Sequence, residues 1–336
     1  MINDAAISSG LKFPIDNTIY KNNMAKMNNQ AASNGELSNA RTINKIDNAL
    51  NAASTCVPEH MSNQALNEAP IGVFDSGIGG LSVYLHLAQQ LPAERYLYYA
   101  DTKHVPYGNR DSQDIQALTL TAVHWLYEQG CKLIVIACNS ASAHALTTAR
   151  ERYPQIPIVG LVPALKPAVL GSLSGRVAVM ATKATLEGIL LNQVIKEVAE
   201  PNNIAVSKYF DPELVPWVEA GMPIISPTAL RLRQQLQQLA DDGIDYLVLG
   251  CTHYPFFKEF LLQAIAEQQL PITVVDSGQA IAARVRSLLI EKQLLAASDN
   301  TEMNNALMLY ASKYDETLGQ VIKRLLGERI NIQYVA

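Results

Sequence analysis

Two doubly wound α/β domains on parallel sheets are what this sequence predicts, and three observations predict them. From Ile71 onward, short runs rich in Val, Ile and Leu alternate with stretches of helical period, the pattern of βαβ units. The apolar runs lack strict alternation, as strands do when helices cover both faces of their sheet. The chain's 336 residues are enough for two domains of ordinary size.

In chain order the expected strands are 71–75, 95–100, 132–137, 157–161, 176–181, 204–210, 244–249 and 272–275, with weaker ones at 306–310 and 329–335. The spacing of Leu118, Val123, Trp125 and Leu126 predicts a helix over 111–129. Leu230, Leu232, Leu236 and Leu239 predict another over 226–240. Segments 71–160 and 176–255 share a layout, each ending in a strand, a cysteine and a helix. Pro163, Pro167 and Gly171-Ser172 mark a link between domains, and Val275-Asp276-Ser277-Gly278 marks the return. The expected first domain is therefore 70–163 with 275–336, and the second is 164–274. Residues 1–69 are rich in Asn, Ala and Ser without sustained periodicity, and we expect a mostly disordered extension there.

The net charge of -5 argues against a nucleic-acid-binding surface. No apolar run reaches the ~20 residues that span a bilayer, and Met1 to Lys21 holds no continuous apolar core of a secretory signal. A soluble cytoplasmic protein is expected. The 4 cysteines form no Cys-x-x-Cys pair and no disulfide framework, so in a reducing compartment they stay thiols.

Chemistry concentrates where strands end. Leu133-Ile134-Val135-Ile136-Ala137 runs into Cys138-Asn139-Ser140, and Tyr246-Leu247-Val248-Leu249-Gly250 runs into Cys251-Thr252-His253. Both cysteines thus fall at the carboxyl ends of parallel strands, where α/β proteins bind ligands. A single buried cysteine is more often an inert small hydrophobe. Two in matched settings suggest a pair of thiols facing one substrate, which inversion at a carbon centre requires. A helix amino terminus favours the thiolate, and His253 could hold or pass a proton beside Cys251. Cys56 and Cys131 carry no such context.

Gly72-Val73-Phe74-Asp75-Ser76-Gly77-Ile78-Gly79-Gly80 joins a strand to a glycine-rich turn and a helix. Three readings fit it: a nucleotide site, an ordinary turn capped by Asp75, or a carboxylate-binding turn with Asp75 facing the reactive centre. The glycine spacing matches neither the dinucleotide nor the P-loop pattern. First and third strands of a doubly wound sheet are usually neighbours, which would bring Asp75 beside Cys138. Val105-Pro106-Tyr107-Gly108 is a tight loop, or one that closes over a ligand. No second Cys/His pair stands at zinc spacing, and no G-x-S-x-G elbow is present.

As a set, these segments resemble the glutamate racemases. The matching pieces are Phe74-Asp75-Ser76-Gly77-x-Gly79-Gly80, Pro106-Tyr107-Gly108, Ala137-Cys138-Asn139-Ser140-Ala141-Ser142 and Gly250-Cys251-Thr252-His253-Tyr254-Pro255. The resemblance covers roughly 71–336. It implies two related domains with the active site in the cleft between them, and cofactor-independent interconversion of L- and D-glutamate for peptidoglycan synthesis. It further implies Cys138 and Cys251 as the acid/base thiols, assisted by Asp75 and His253. Asp75, Ser76, Tyr107, Gly108, Asn139, Ser140, Thr252 and His253 would hold the substrate. Glu213, in the segment Asp211 to Val218, resembles a further helpful carboxylate of some members. No metal is implied, and no pyridoxal phosphate. A homodimer is implied, and for some members activation by a peptidoglycan precursor. Two departures stand out: Ser140 where the family more often has Thr, and the Asn-rich extension before Pro70. Aspartate racemisation, a binding role such as inhibition of DNA gyrase, and a Cys138–Cys251 redox switch are the rival readings.

Overall fold

The structure, a computed structural model, describes residues 63–297, 307–327 and 332–335. The expected extension lies outside the described residues except at its end, where Asn63–Glu68 form a helix. The described strands are β1 (Ile71–Asp75), β2 (Tyr96–Ala100), β3 (Leu133–Ile136), β4 (Ile158–Gly160), β5 (Arg176–Met180), β6 (Ala205–Tyr209), β7 (Tyr246–Leu249), β8 (Thr273–Val275), β9 (Leu307–Ala311) and β10 (Ile332–Val335). They form two sheets, β10-β9-β2-β1-β3-β4 and β6-β5-β7-β8. Every pairing in both sheets is parallel.

The continuous apolar strands are explained by packing on both faces. Ile71 and Val73 of β1 and Leu133 and Val135 of β3 enter one core, with Leu81, Leu87, Val285 and Leu289 from two helices. Phe74, Ile134 and Ile136 enter the opposite core, against Ile115, Val123 and Leu126 of helix Ser112–Glu128. The second sheet divides likewise: Ala178, Met180, Leu247 and Leu249 face one way, Val177, Val179 and Val248 the other. Each sheet has one central strand from which the chain winds first to one side and then to the other. In the first sheet β1 lies between β2 and β3, and in the second β5 lies between β6 and β7. The shared layout read from the sequence is thus a shared topology, with the switch point at the ends of β1 and β3 in one sheet and of β5 and β7 in the other.

One buried ion pair fastens the first sheet's far end. Lys132 Nζ lies 2.6 Å from Glu94 Oε2, with both side chains almost wholly enclosed. Lys132 also donates to the Asn67 carbonyl, and Glu94 Oε1 accepts from the Ala296 amide. Burial lowers the Lys132 ammonium, and the Glu94 charge opposes that. No helix among the described residues is long and apolar enough to cross a membrane.

Candidate active site

The carboxyl ends of both sheets face one cleft. It encloses ≈ 300 Å³, its open mouth included, and is lined by Ser76, Tyr107, Gly108, Cys138, Asn139 and Ser140 from one side and Thr182, Cys251, Thr252 and His253 from the other. All the residues expected at the site line the cleft except Asp75, which is fully buried, and Glu213, which is exposed.

Cys138 follows β3 and is the N-cap of helix Asn139–Arg152. Its extended backbone ends the strand, and its sulfur accepts from the Ala141 amide at 3.5 Å. Ser76 Oγ lies 3.5 Å from the same sulfur. The small residues of the first helical turn make the arrangement possible. Asn139, Ser140, Ala141, Ser142 and Ala143 are all buried, so the helix start sits tight against the strand ends. Ser142 fixes that seat, donating to the Ile136 carbonyl and accepting from the Leu161 amide, both at 2.9 Å. Burial, with the Asp75 charge added, pushes the Cys138 thiol up to about 12.

Cys251 follows β7 in the same way, but no long helix starts there. A 3-10 turn, Tyr254–Phe257, comes first, and helix Lys258–Glu267 follows it. The sulfur lies 3.8 Å from His253 Nδ1. On the ring's other side, Nε2 is 3.1 Å from Glu219 Oε1. Burial pulls the His253 imidazole down, but its hydrogen bonds to Cys251 and Glu219 outweigh that and hold it well above the ordinary histidine value. A protonated ring donates to both neighbours and places a positive charge beside the sulfur.

Asp75 links the two walls. Its Oδ1 accepts from the Gly77 amide at 2.8 Å, and its Oδ2 accepts from Thr252 Oγ1 at 3.0 Å. Burial holds its carboxyl above the ordinary value, against the His253 charge and those hydrogen bonds. The glycine-rich turn also serves close approach between the walls. A Cβ at Gly79 would lie 2.6 Å from Thr252 Oγ1 and closer still to His253 Nδ1, so only glycine lets the turn meet the second wall. Gly108 does the same opposite Thr182, whose Cβ would be 2.7 Å away.

Several hydroxyls are already engaged. Tyr107 lines the cleft by its ring, because its OH donates to Asp101 Oδ2 at 2.6 Å. Ser140 Oγ is 2.8 Å from Thr182 Oγ1. Asn139 is different: its buried Nδ2 has no hydrogen-bond partner among the described residues. A donor left in that state costs about 1–3 kcal/mol until an acceptor arrives, so it is a ready seat for a ligand oxygen. Cys131 packs against Gly72 inside the core, where burial raises its thiol. Cys56 lies outside the described residues.

Sequence reasoning missed two side chains. The carboxylate on His253 is Glu219, at the end of helix Leu214–Glu219, whereas Glu213 is exposed at that helix's start. Nothing in the sequence selects Glu219 over Glu213, because the direction of one short helix decides which reaches the cleft. Thr182 had a usable signal: it follows β5, the strand equivalent to β1, just as Ser76 follows β1.

Comparison with known proteins agrees with this geometry. The Asp/Glu/hydantoin racemase family pattern matches residues 71–285. A glutamate racemase of Deinococcus radiodurans is 49% identical over 232 residues, 69% of this chain and 79% of that protein. A Francisella tularensis glutamate racemase crystallised with D-glutamate superposes with a TM-score of 0.67 at 29% identity, covering 80% of this chain and 98% of the other. An Escherichia coli glutamate racemase, solved with L-glutamate and the activator UDP-MurNAc-Ala, gives 0.66 at 31% identity over 80% and 98%. The chain belongs to the Asp/Glu/hydantoin racemase family.

Proposed function

We propose that the protein interconverts L- and D-glutamate, using Cys138 and Cys251 as acid/base groups on opposite faces of Cα. The observation that carries this reading is that two cysteines from equivalent strand ends line one small cleft, each with its own polar partners. The α-proton of an amino acid is weakly acidic, so its removal needs a positioned base and a preorganised field. With D-glutamate, the Cys138 thiolate takes the α-proton, and the Cys251 thiol then delivers its own proton to the other face of the resulting carbanion. The products are L-glutamate, a Cys138 thiol and a Cys251 thiolate, and proton exchange with solvent, off Cys138 and onto Cys251, readies the pair for the next D-glutamate.

The remaining residues bind and orient. Backbone amides at the start of helix Asn139–Arg152, the Asn139 Nδ2 and the Ser76 hydroxyl are donors suited to the substrate carboxylates. His253, held by Glu219, serves the Cys251 side. Asp75, held by Gly77 and Thr252, serves the Cys138 side. Closing the cleft expels water and strengthens each of these contacts. The chemistry as written uses only these side chains and requires no cofactor. We assign the product to peptidoglycan synthesis in the cytoplasm, the protein to a homodimer, and its control to a peptidoglycan precursor. The last assignment is supported by the activator bound to the Escherichia coli relative.

The test is polarimetric. Purified protein should abolish the optical activity of D-glutamate and leave that of D-aspartate largely unchanged, with and without a peptidoglycan precursor. Faster turnover of aspartate would move the substrate assignment, and turnover of neither would remove the racemase reading.

A further inference from the structure

The cleft needs two walls in register, and one hydroxyl outside it joins them. Ser82 stands in the first turn of helix Leu81–Gln90, buried, on the side that carries Asp75. Its Oγ lies 2.8 Å from the carbonyl oxygen of Thr252 on the opposite wall, and 2.9 Å from the carbonyl of Gly79. A hydroxyl has one proton to give. The Gly79 carbonyl already accepts from the Ser82 amide at 3.0 Å. Among the described residues, the Thr252 carbonyl accepts from no other group. A buried carbonyl without a donor is costly, so the Ser82 proton belongs on Thr252.

We propose that Ser82 is a positioning residue for the Cys251 side of the reaction: its hydroxyl, donated to the Thr252 carbonyl, fixes the Cys251-Thr252-His253 turn against the wall that carries Asp75 and Cys138. The inference rests on the two-thiol reading. Thr252 is then held at two points, by its carbonyl through Ser82 and by its Oγ1 through Asp75. The residues joined to it on either side are Cys251, whose sulfur does the chemistry, and His253, whose Nδ1 faces that sulfur. Removing the Ser82 donor frees the main chain at the centre of this turn. Asp75 keeps its Gly77 anchor, so the Cys138 side is less disturbed. The small-residue turn Gly79-Gly80 brings the helix close enough for a side chain as short as serine to cross the gap.

Ser82→Ala and Ser82→Thr test this with α-deuterated L- and D-glutamate. The equilibrium constant of a racemase is 1, so kcat/KM must fall equally in both directions, and we expect about a ten-fold loss in Ser82→Ala. The isotope effects should diverge. Proton removal from L-glutamate by Cys251 becomes more rate-limiting, so that isotope effect rises above wild type. With D-glutamate, delivery of the proton from Cys251 becomes limiting, so the effect of breaking the Cα–D bond falls. Ser82→Thr, which keeps the hydroxyl, should restore both. A variant that merely lost folded protein would lower the rate and leave both isotope effects at wild-type values, and that result overturns the proposal. So does a parallel change for the two enantiomers. Failure of the two-thiol reading would show instead in the wild-type arm, as absent turnover or absent primary isotope effects.

Discussion

The turn after β3 and the turn after β7 deliver the same atom to opposite walls of one cleft, and they are built from different physics. Cys138 caps a fourteen-residue helix and is surrounded by fixed dipoles, the Ala141 amide and the Ser76 hydroxyl. Cys251 precedes a short 3-10 turn and stands beside a titratable pair, His253 with Glu219. The nearest charge on the Cys138 side is negative, Asp75, and it raises that thiol. The charge facing Cys251 is the His253 ring, which its partners keep protonated. Equivalent backbone positions therefore place the two sulfurs beside charges of opposite sign.

The largest way to break the comparison is to remove either sulfur. Cys138→Ala and Cys251→Ala should each lower racemisation by about 10²–10⁴-fold or more, in both directions, as read by loss of circular dichroism of either enantiomer. One variant retaining near-wild-type turnover would mean that a single base serves both faces. Next in size are the partners. Glu219→Gln removes the charge on His253 Nε2 while keeping its shape, and should cost about ten- to a hundred-fold. Its isotope effect should rise with α-deuterated L-glutamate, while Asp75→Asn should raise that of the D enantiomer. Identical patterns in the two variants would argue against separate assistance.

A smaller effect sharpens the electrostatic difference. Because burial and Asp75 push the Cys138 thiol up to about 12, its thiolate fraction grows with each unit of pH across the neutral and alkaline range. Carbamidomethylation of Cys138 in the free enzyme, followed by mass spectrometry, should accelerate with no plateau below about pH 10. A plateau near neutrality would mean that the bound dipoles outweigh burial. The smallest effect on chemistry belongs to Lys132→Ala. This variant strands Glu94 in the core and should lower stability by about 3–5 kcal/mol in denaturant melts. Its kcat per folded molecule should stay at the wild-type value.

Much of this architecture was legible because strands buried on both faces are written as unbroken apolar runs. The ends of β3 and β7 could be read directly from where Leu133 to Ala137 and Tyr246 to Gly250 stop. Asp75 was placed beside Cys138 by topology, and β1 does pair with β3. What could not be read was the direction of side chains in short irregular elements. Helix Leu214–Glu219 presents Glu219 to His253 because of how its apolar face, Leu214, Val215, Trp217 and Val218, packs. The Tyr107 hydroxyl turns to Asp101, a partner six residues earlier that no motif marks. Ser82 looks in sequence like an ordinary helix serine, and only the opposed wall gives its hydroxyl a second acceptor.

The central claim, that each sulfur serves one face of Cα, is tested most directly by racemisation in D₂O stopped at low conversion. Proton NMR of the separated enantiomers then reads their α-positions. The two-thiol account predicts product carrying solvent deuterium while unreacted substrate keeps its α-proton, from either enantiomer as the starting point. Product that retains the substrate's own proton, or substrate that gains deuterium as fast as product forms, would contradict it.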